Sequence, residues 1–157
     1  MTPTTRGISS GWIAVTVFAA AMVAAPRPAS AQVLLVSPTT ISFPSSDPDT
    51  VPVVSAAPVN VRYLVVGPGS RPWTITVRAG GPLVSGASTI PISNVSWIAT
   101  PSPPFRNGTL STVAQTLATG TGTVLLQQGD VTFRFANSWN YTVGNYTQTI
   151  TFTLTSP

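Results

Sequence analysis

Tyr146-Thr147-Gln148-Thr149-Ile150-Thr151-Phe152-Thr153-Leu154-Thr155 alternates without a break between two kinds of side chain. Threonines 147, 149, 151, 153 and 155 fall on one face, and Tyr146, Gln148, Ile150, Phe152 and Leu154 fall on the other. Successive side chains of a strand point to opposite faces of a sheet. A period of two in β-branched and aromatic residues therefore predicts a half-buried β-strand.

Working back from this strand, candidate strands recur at short intervals between Pro-, Gly-, Asn- and Ser-rich breaks, the spacing of a sandwich rather than of alternating strands and helices. Residues 33–37 and 40–43 read as one strand interrupted at Pro38, and 51–54 as a short strand inside a proline-rich loop. Residues 60–66 and 73–78 look like a hairpin, with Val61, Tyr63 and Val65 on one face and Trp73, Ile75 and Val77 on the opposing one. Residues 90–99 carry Ile92 and Trp97 toward the core and stop at the prolines of 101–104. Asn107-Gly108 predicts a type I′ turn, whose two central residues need positive φ. Gln128-Gly129 separates strands 124–127 and 130–136, and Val143-Gly144-Asn145 turns the chain into the last strand.

The expected fold is all-β, an Ig-like antiparallel β-sandwich of seven to nine strands following an N-terminal signal peptide. Its expected aromatic core is Tyr63, Trp73, Trp97, Phe133, Phe135, Trp139, Tyr146 and Phe152.

Residues 1–31 have the three parts of a secretory signal. Arg6 gives a positive start, 12–25 an apolar run, and Ala29-Ser30-Ala31 a small-residue cleavage site. An apolar run of about 14 residues spans roughly 21 Å as a helix, short of a hydrocarbon core of about 30 Å. The expectation is a cleaved signal over 1–31, one β-sandwich domain over 32–157, and no membrane span after cleavage. The product would be secreted, periplasmic or at the cell surface. Export without a single cysteine leaves strand packing, not disulfides, as the source of stability.

The chain lacks His, and beyond residue 31 its only charged residues are five arginines (62, 71, 78, 106, 134) and three aspartates (47, 49, 130). Without His, Cys or Glu there is no histidine-based triad, thiol nucleophile or imidazole metal ligand, so the chain is expected not to be an enzyme and to hold no cofactor. The arginines are dispersed, whereas nucleic-acid binding needs a clustered basic face, so no nucleic-acid partner is expected. Asp47-Pro48-Asp49 reads as a turn using Asp for local backbone bonds rather than as part of a calcium site. The Asn-x-Ser/Thr sequons at Asn94, Asn107, Asn140 and Asn145 follow from the Thr-, Ser- and Asn-rich composition.

With catalysis set aside, two readings of function stand. An uncharged, proline-free strand is the pattern of a pairing-prone sheet edge, which suits an exported structural or adhesive subunit that assembles with itself, as in a fibre, by strand pairing. The candidate assembly residues are Val33 and Leu35 in the N-terminal strand and Ile150, Phe152 and Leu154 in the last. The alternative is a module that binds cell-wall glycan or another carbohydrate through Trp97, Trp139 and Tyr141. Trp139 and Tyr141 also continue the parity of Val131, Phe133 and Phe135, which points them at the core, and Phe105 beside the proline-rich turn is a further candidate for exposure.

The segment Val143-Gly144-Asn145-Tyr146-Thr147-Gln148-Thr149-Ile150-Thr151-Phe152-Thr153-Leu154 resembles the closing strand of the WxL cell-wall-binding domain and that of the spore-coat-protein-U-like pilins. Phe152 stands where the WxL motif has Trp, no Trp-x-Leu follows Trp73, Trp97 or Trp139, and the cysteines common in the pilins are missing. The resemblance implies an exported bacterial Ig-like sandwich and carries over no functional residue.

Overall fold

Apolar residues at every second position give each long strand one face to bury, and two sheets packed face to face satisfy all of them. The computed structural model describes residues 30–67 and 69–156. The signal-peptide assignment lies, apart from Ser30 and Ala31, outside the described residues. In chain order the strands are β1 (Ala31–Ser37), β2 (Val53–Ser55), β3 (Val59–Val66), β4 (Pro72–Ala79), β5 (Leu83–Ser85) and β6 (Ser88–Ile90). A 3-10 turn at Ile92–Asn94 leads into β7 (Val95–Thr100), β8 (Gly108–Thr109), β9 (Gln115–Thr121), β10 (Val124–Ala136) and β11 (Ile150–Thr155). The larger sheet runs β1-β3-β10-β7-β8, with β2 on the end of β10, and the smaller runs β11-β4-β9. β5 and β6 form a separate hairpin.

All pairings are antiparallel, so the chain is an all-β antiparallel sandwich. Seven strands have six residues or more, within the expected count, and the pieces β2, β5, β6 and β8 raise the total to eleven among the described residues. Pieces of two or three residues are too short to show a period.

Four expectations need correction. β3 and β4 do not form a hairpin: they lie in opposite sheets, and the loop after β3 crosses between them. Val61, Tyr63 and Val65 face Trp73, Ile75 and Val77 across the core, all buried, with the Tyr63 and Trp73 ring centroids 4.9 Å apart. Alternation is the same whether a strand's partner lies beside it or across the core. Residues 124–136 are one strand, not two: β10 continues through Gln128-Gly129, with a bulge between Val124 and Gln127.

Asn107-Gly108 is not a type I′ turn, because among the described residues no non-glycine has positive φ. Gly108 pairs with Trp97, and a Cβ there would collide with the Trp97 ring. The Asn107 side chain instead accepts a bond from Ala99 N at 2.9 Å. Gly129 likewise lies against the Phe105 ring and Gly120 against the Trp73 ring. The last strand, finally, holds six residues rather than ten. Gln148 Oε1 takes the Thr149 N–H at 2.7 Å, and Thr147 pairs with Val84 of β5, so residues 146–149 leave the path of β11.

The core contains no buried charge among the described residues. Tyr63 donates its hydroxyl to Gln127 Oε1 at 3.3 Å, and burial pushes its phenol pKa upward. Folding thus favours the neutral phenol, a contribution present below the ordinary tyrosine range and lost as pH rises through the raised value.

Candidate functional site

The two lateral sides of the sandwich are built differently. On one side the segment after β7 seals the gap between the sheets. Gly108 and Thr109 pair with β7, Phe105 bridges to Ala118 of β9, and Arg106 N donates to Leu117 O at 2.8 Å. Phe105 and Leu110 from this segment are fully buried plugs. On the other side the sheets end at β1 and β11, each with a neighbour on one edge only among the described residues. Gln32 Nε2 donates to Ser156 O at 3.1 Å and ties the two edges together at one end. Toward the other end β1 gives way to the irregular stretch 38–46 and β11 is preceded by 137–149, and between these walls lies a cleft of about 1020 Å³.

The cleft is lined by apolar and uncharged polar side chains. Leu34, Val36, Ile41 and Phe43 form one wall, Ile150 and Phe152 lie on the other, and all are only partly buried. Rings bridge the floor, with Phe43 to Phe135 at 5.8 Å, Phe135 to Tyr141 at 5.9 Å and Phe133 to Phe152 at 6.5 Å. No charged residue occurs in 31–46 or 137–156, although Asp49 stands at the cleft mouth beside Trp139 and Arg62 lies opposite Leu35 on β3. Several polar groups of the walls are already engaged. Asn137 Nδ2 donates to Ser46 O at 2.9 Å, Gln148 Nε2 to Pro82 O, and Tyr146 OH to Thr142 O at 3.0 Å. The walls are thus knit to their own backbone and present mainly carbon to the cleft.

The predicted assembly residues lie on the two edge strands of this side but do not face one another. Val33 and Leu35 point outward from β1 at 44% and 57% exposure, while Ile150, Phe152 and Leu154 point inward from β11 and rest on the core. β1 is no free arm: all seven of its residues are in register with β3. What it offers is its outer edge.

The predicted glycan-stacking aromatics are not brought together. Trp97 is 2% exposed and its Nε1 donates to Arg106 O at 2.8 Å, so it is a core residue that no external sugar reaches. Phe105, a further candidate for exposure, is also fully buried. Trp139 departs from its expected core position: β10 ends at Ala136, Asn137 N turns away to Pro52 O, and the parity that pointed Trp139 inward ends there. Trp139 lies at the mouth of the cleft at 69% exposure, its Nε1 donating to Asp49 Oδ1 at 3.0 Å. Tyr141 is half-buried against Phe135.

Asp47 does form the expected turn, its Oδ1 accepting from Asp49 N at 2.9 Å. No group of three or more Asp, Glu, His or Cys that could hold a metal occurs among the described residues, and no helix there is long and apolar enough to cross a membrane.

Residues 40–43, expected to continue the first strand beyond Pro38, belong to no regular strand: β1 ends at Ser37, and Ile41 and Phe43 form a wall of the cleft instead. Sequence reasoning missed Leu125 and Leu126, 74% and 69% exposed where the β10 bulge sets two residues opposite one.

An all-β sandwich with one sealed and one open side is the class that fold and site define. Compared with known proteins, the chain matches no family model and no curated protein significantly.

Proposed function

We propose that the chain is a non-catalytic, exported structural or adhesive subunit of the cell surface that assembles by strand pairing along its open side. The observation that carries this reading is the placement, on one side of the sandwich, of two sheet edges with no strand partner among the described residues, β1 and β11, both in stretches without a charged residue. Natural proteins blunt such edges with charges, prolines or covering loops, because a row of free N–H and C=O groups recruits another strand. Here β11 contains neither a charge nor a proline. An apolar cleft beside a free edge also suits the alternate side chains of an added strand. The export half of the reading rests on residues 1–31. Fractionation of the native host tests it: the protein is expected outside the cytoplasmic membrane in a form larger than a single chain, and a cytoplasmic monomer contradicts the proposal.

The exposure of Trp139 favours a second reading, a carbohydrate-binding surface at the mouth of the cleft. An exposed aromatic face held in place by a carboxylate suits sugar stacking. Trp139→Ala separates the two readings. The structural reading expects unfolding free energy to change by no more than about 0.5 kcal/mol, as for an exposed side chain, with assembly intact. Loss of retention on a panel of immobilised cell-wall glycans would support the second reading instead.

A further inference from the structure

Because one lateral side is sealed and the other open, strand pairing has only one lateral surface to use, and the symmetry of the product follows. Head-to-tail growth through sheet edges needs two different free edges facing opposite ways. A single self-complementary surface gives an isologous contact that closes after two copies. We propose that the open side is the interface of a closed dimer of this chain, in which β11 of each copy pairs antiparallel with β11 of the other about a two-fold axis. This rests on the strand-assembly reading above and adds the partner and the symmetry to it.

Three observations favour a second copy as the occupant. The first is parity. In an antiparallel pair directly opposite side chains lie on the same face. About an axis through one residue of β11, threonines 151, 153 and 155 then meet only threonines, and Ile150, Phe152 and Leu154 meet only one another over the cleft.

The second is electrostatic. The domain carries more arginines than aspartates, so two copies repel unless they meet where charge is absent, and 31–46 and 137–156 contain none. The charge nearest to β11 along the sheet is Arg78, opposite Thr151 on β4. In the paired sheet Arg78 and its symmetry mate are three strand spacings apart, roughly 14 Å. That exceeds a Debye length of about 8 Å at physiological salt.

The third is coverage. The smaller sheet has three strands to the larger one's six, and its inward residues Ile150, Phe152 and Leu154 remain only partly buried. Pairing across the two-fold joins the small sheets into one of six strands and covers that row.

The experiment uses the exported protein, with sedimentation velocity across a wide concentration range as the readout. The expected species has twice the protomer mass. Thr151→Lys/Thr153→Lys places like charges opposite one another at two exposed positions and is expected to halve the mass while leaving the circular dichroism of the fold unchanged. The chain has no cysteine, so Thr151→Cys, Thr153→Cys and Thr155→Cys each provide a single thiol. One of the three, or two of them combined in one chain where the axis passes through Phe152 or Leu154, is expected to form a disulfide-linked dimer on mild oxidation. Open-ended species from the unmodified chain would overturn the two-fold closure while leaving assembly by strand pairing in place. A monomer at every concentration would overturn both. A dimer that resists the lysines and yields no cross-link would overturn this interface.

Discussion

Trp97→Ala is expected to lower the unfolding free energy by about 3–5 kcal/mol in urea titration, a large share of the roughly 5–15 kcal/mol that stabilises a domain. The indole is 2% exposed and roofs Gly108, which has no Cβ to obstruct it. Its Nε1 donates to Arg106 O at 2.8 Å and fastens the segment that seals one side of the sandwich. Alanine removes the ring, leaves a cavity and orphans that carbonyl. Trp97→Phe keeps most of the apolar contact and is expected to cost about 1–3 kcal/mol, largely through the unpaired acceptor. The matching change at Trp73 is a control, because its buried Nε1 has no hydrogen-bond partner among the described residues. Trp73→Phe removes an unsatisfied donor and is expected to cost less than Trp97→Phe. Equal losses at the two sites would remove the hydrogen bond from the account.

Gly129→Ala is expected to destabilise by about 3 kcal/mol, at the upper end of what one added methyl does in a packed core. A Cβ at this position would stand 2.6 Å from Cδ2 and 2.7 Å from Cζ of Phe105, a ring with no exposure and no room to retreat. Phe105 is also the bridge to Ala118 on the sealed side, so moving it disturbs the joint between the sheets. Phe105→Leu in the same chain removes the edge of the ring that the methyl strikes. The double variant is therefore expected to be more stable than the sum of the two single losses allows. Strict additivity would mean that the glycine is required for some other reason. Gly67→Ala is a useful contrast, since its Cβ would come no closer than 4.0 Å to any atom, that of Ser30, and its effect is expected within about 0.5 kcal/mol.

These glycines show where sequence reasoning stops. Gly108 and Gly129 both look like turn residues, because a Gly after Asn or Gln between strand-like runs is a local signal for a turn. Each is instead the seat of an aromatic ring from another strand or loop, and nothing local distinguishes the two uses. Period-two alternation was legible wherever a strand kept one face on the core. That is why β3, β4, β7 and the later part of β10 were correctly placed, and why Tyr63, Trp73, Trp97 and Phe133 were rightly assigned to the core. Alternation says which face is buried but not which strand lies beside it, so β3 and β4 were joined as a hairpin when they belong to opposite sheets. It also continues past the end of an element. Trp139 carries the right parity beyond Ala136, where the strand has ended, and so its pattern predicts burial while the side chain stands in solvent. At Tyr146 to Thr149 the pattern is intact but loses to local competition, from the Gln148 amide and from β5.

The candidate site was half legible. Charge-free stretches and the residues of the two edge strands can be read directly, and both proved to lie on one side. That the opposite side is sealed by 105–110 depends on Phe105 meeting β9 and on Gly108 meeting Trp97, contacts between segments with no mutual signature in sequence.

Backbone amide exchange along β11 of the exported protein, compared at low and high concentration, tests the central claim most directly. β11 donates alternate amides to β4 and turns the others outward on its free edge. If the open side is the assembly surface, the outward amides become protected as concentration rises while those of β9, at the other edge of the same sheet, do not change. Outward β11 amides that still exchange freely at the highest concentration, or protection gained at β9 instead, would contradict the account.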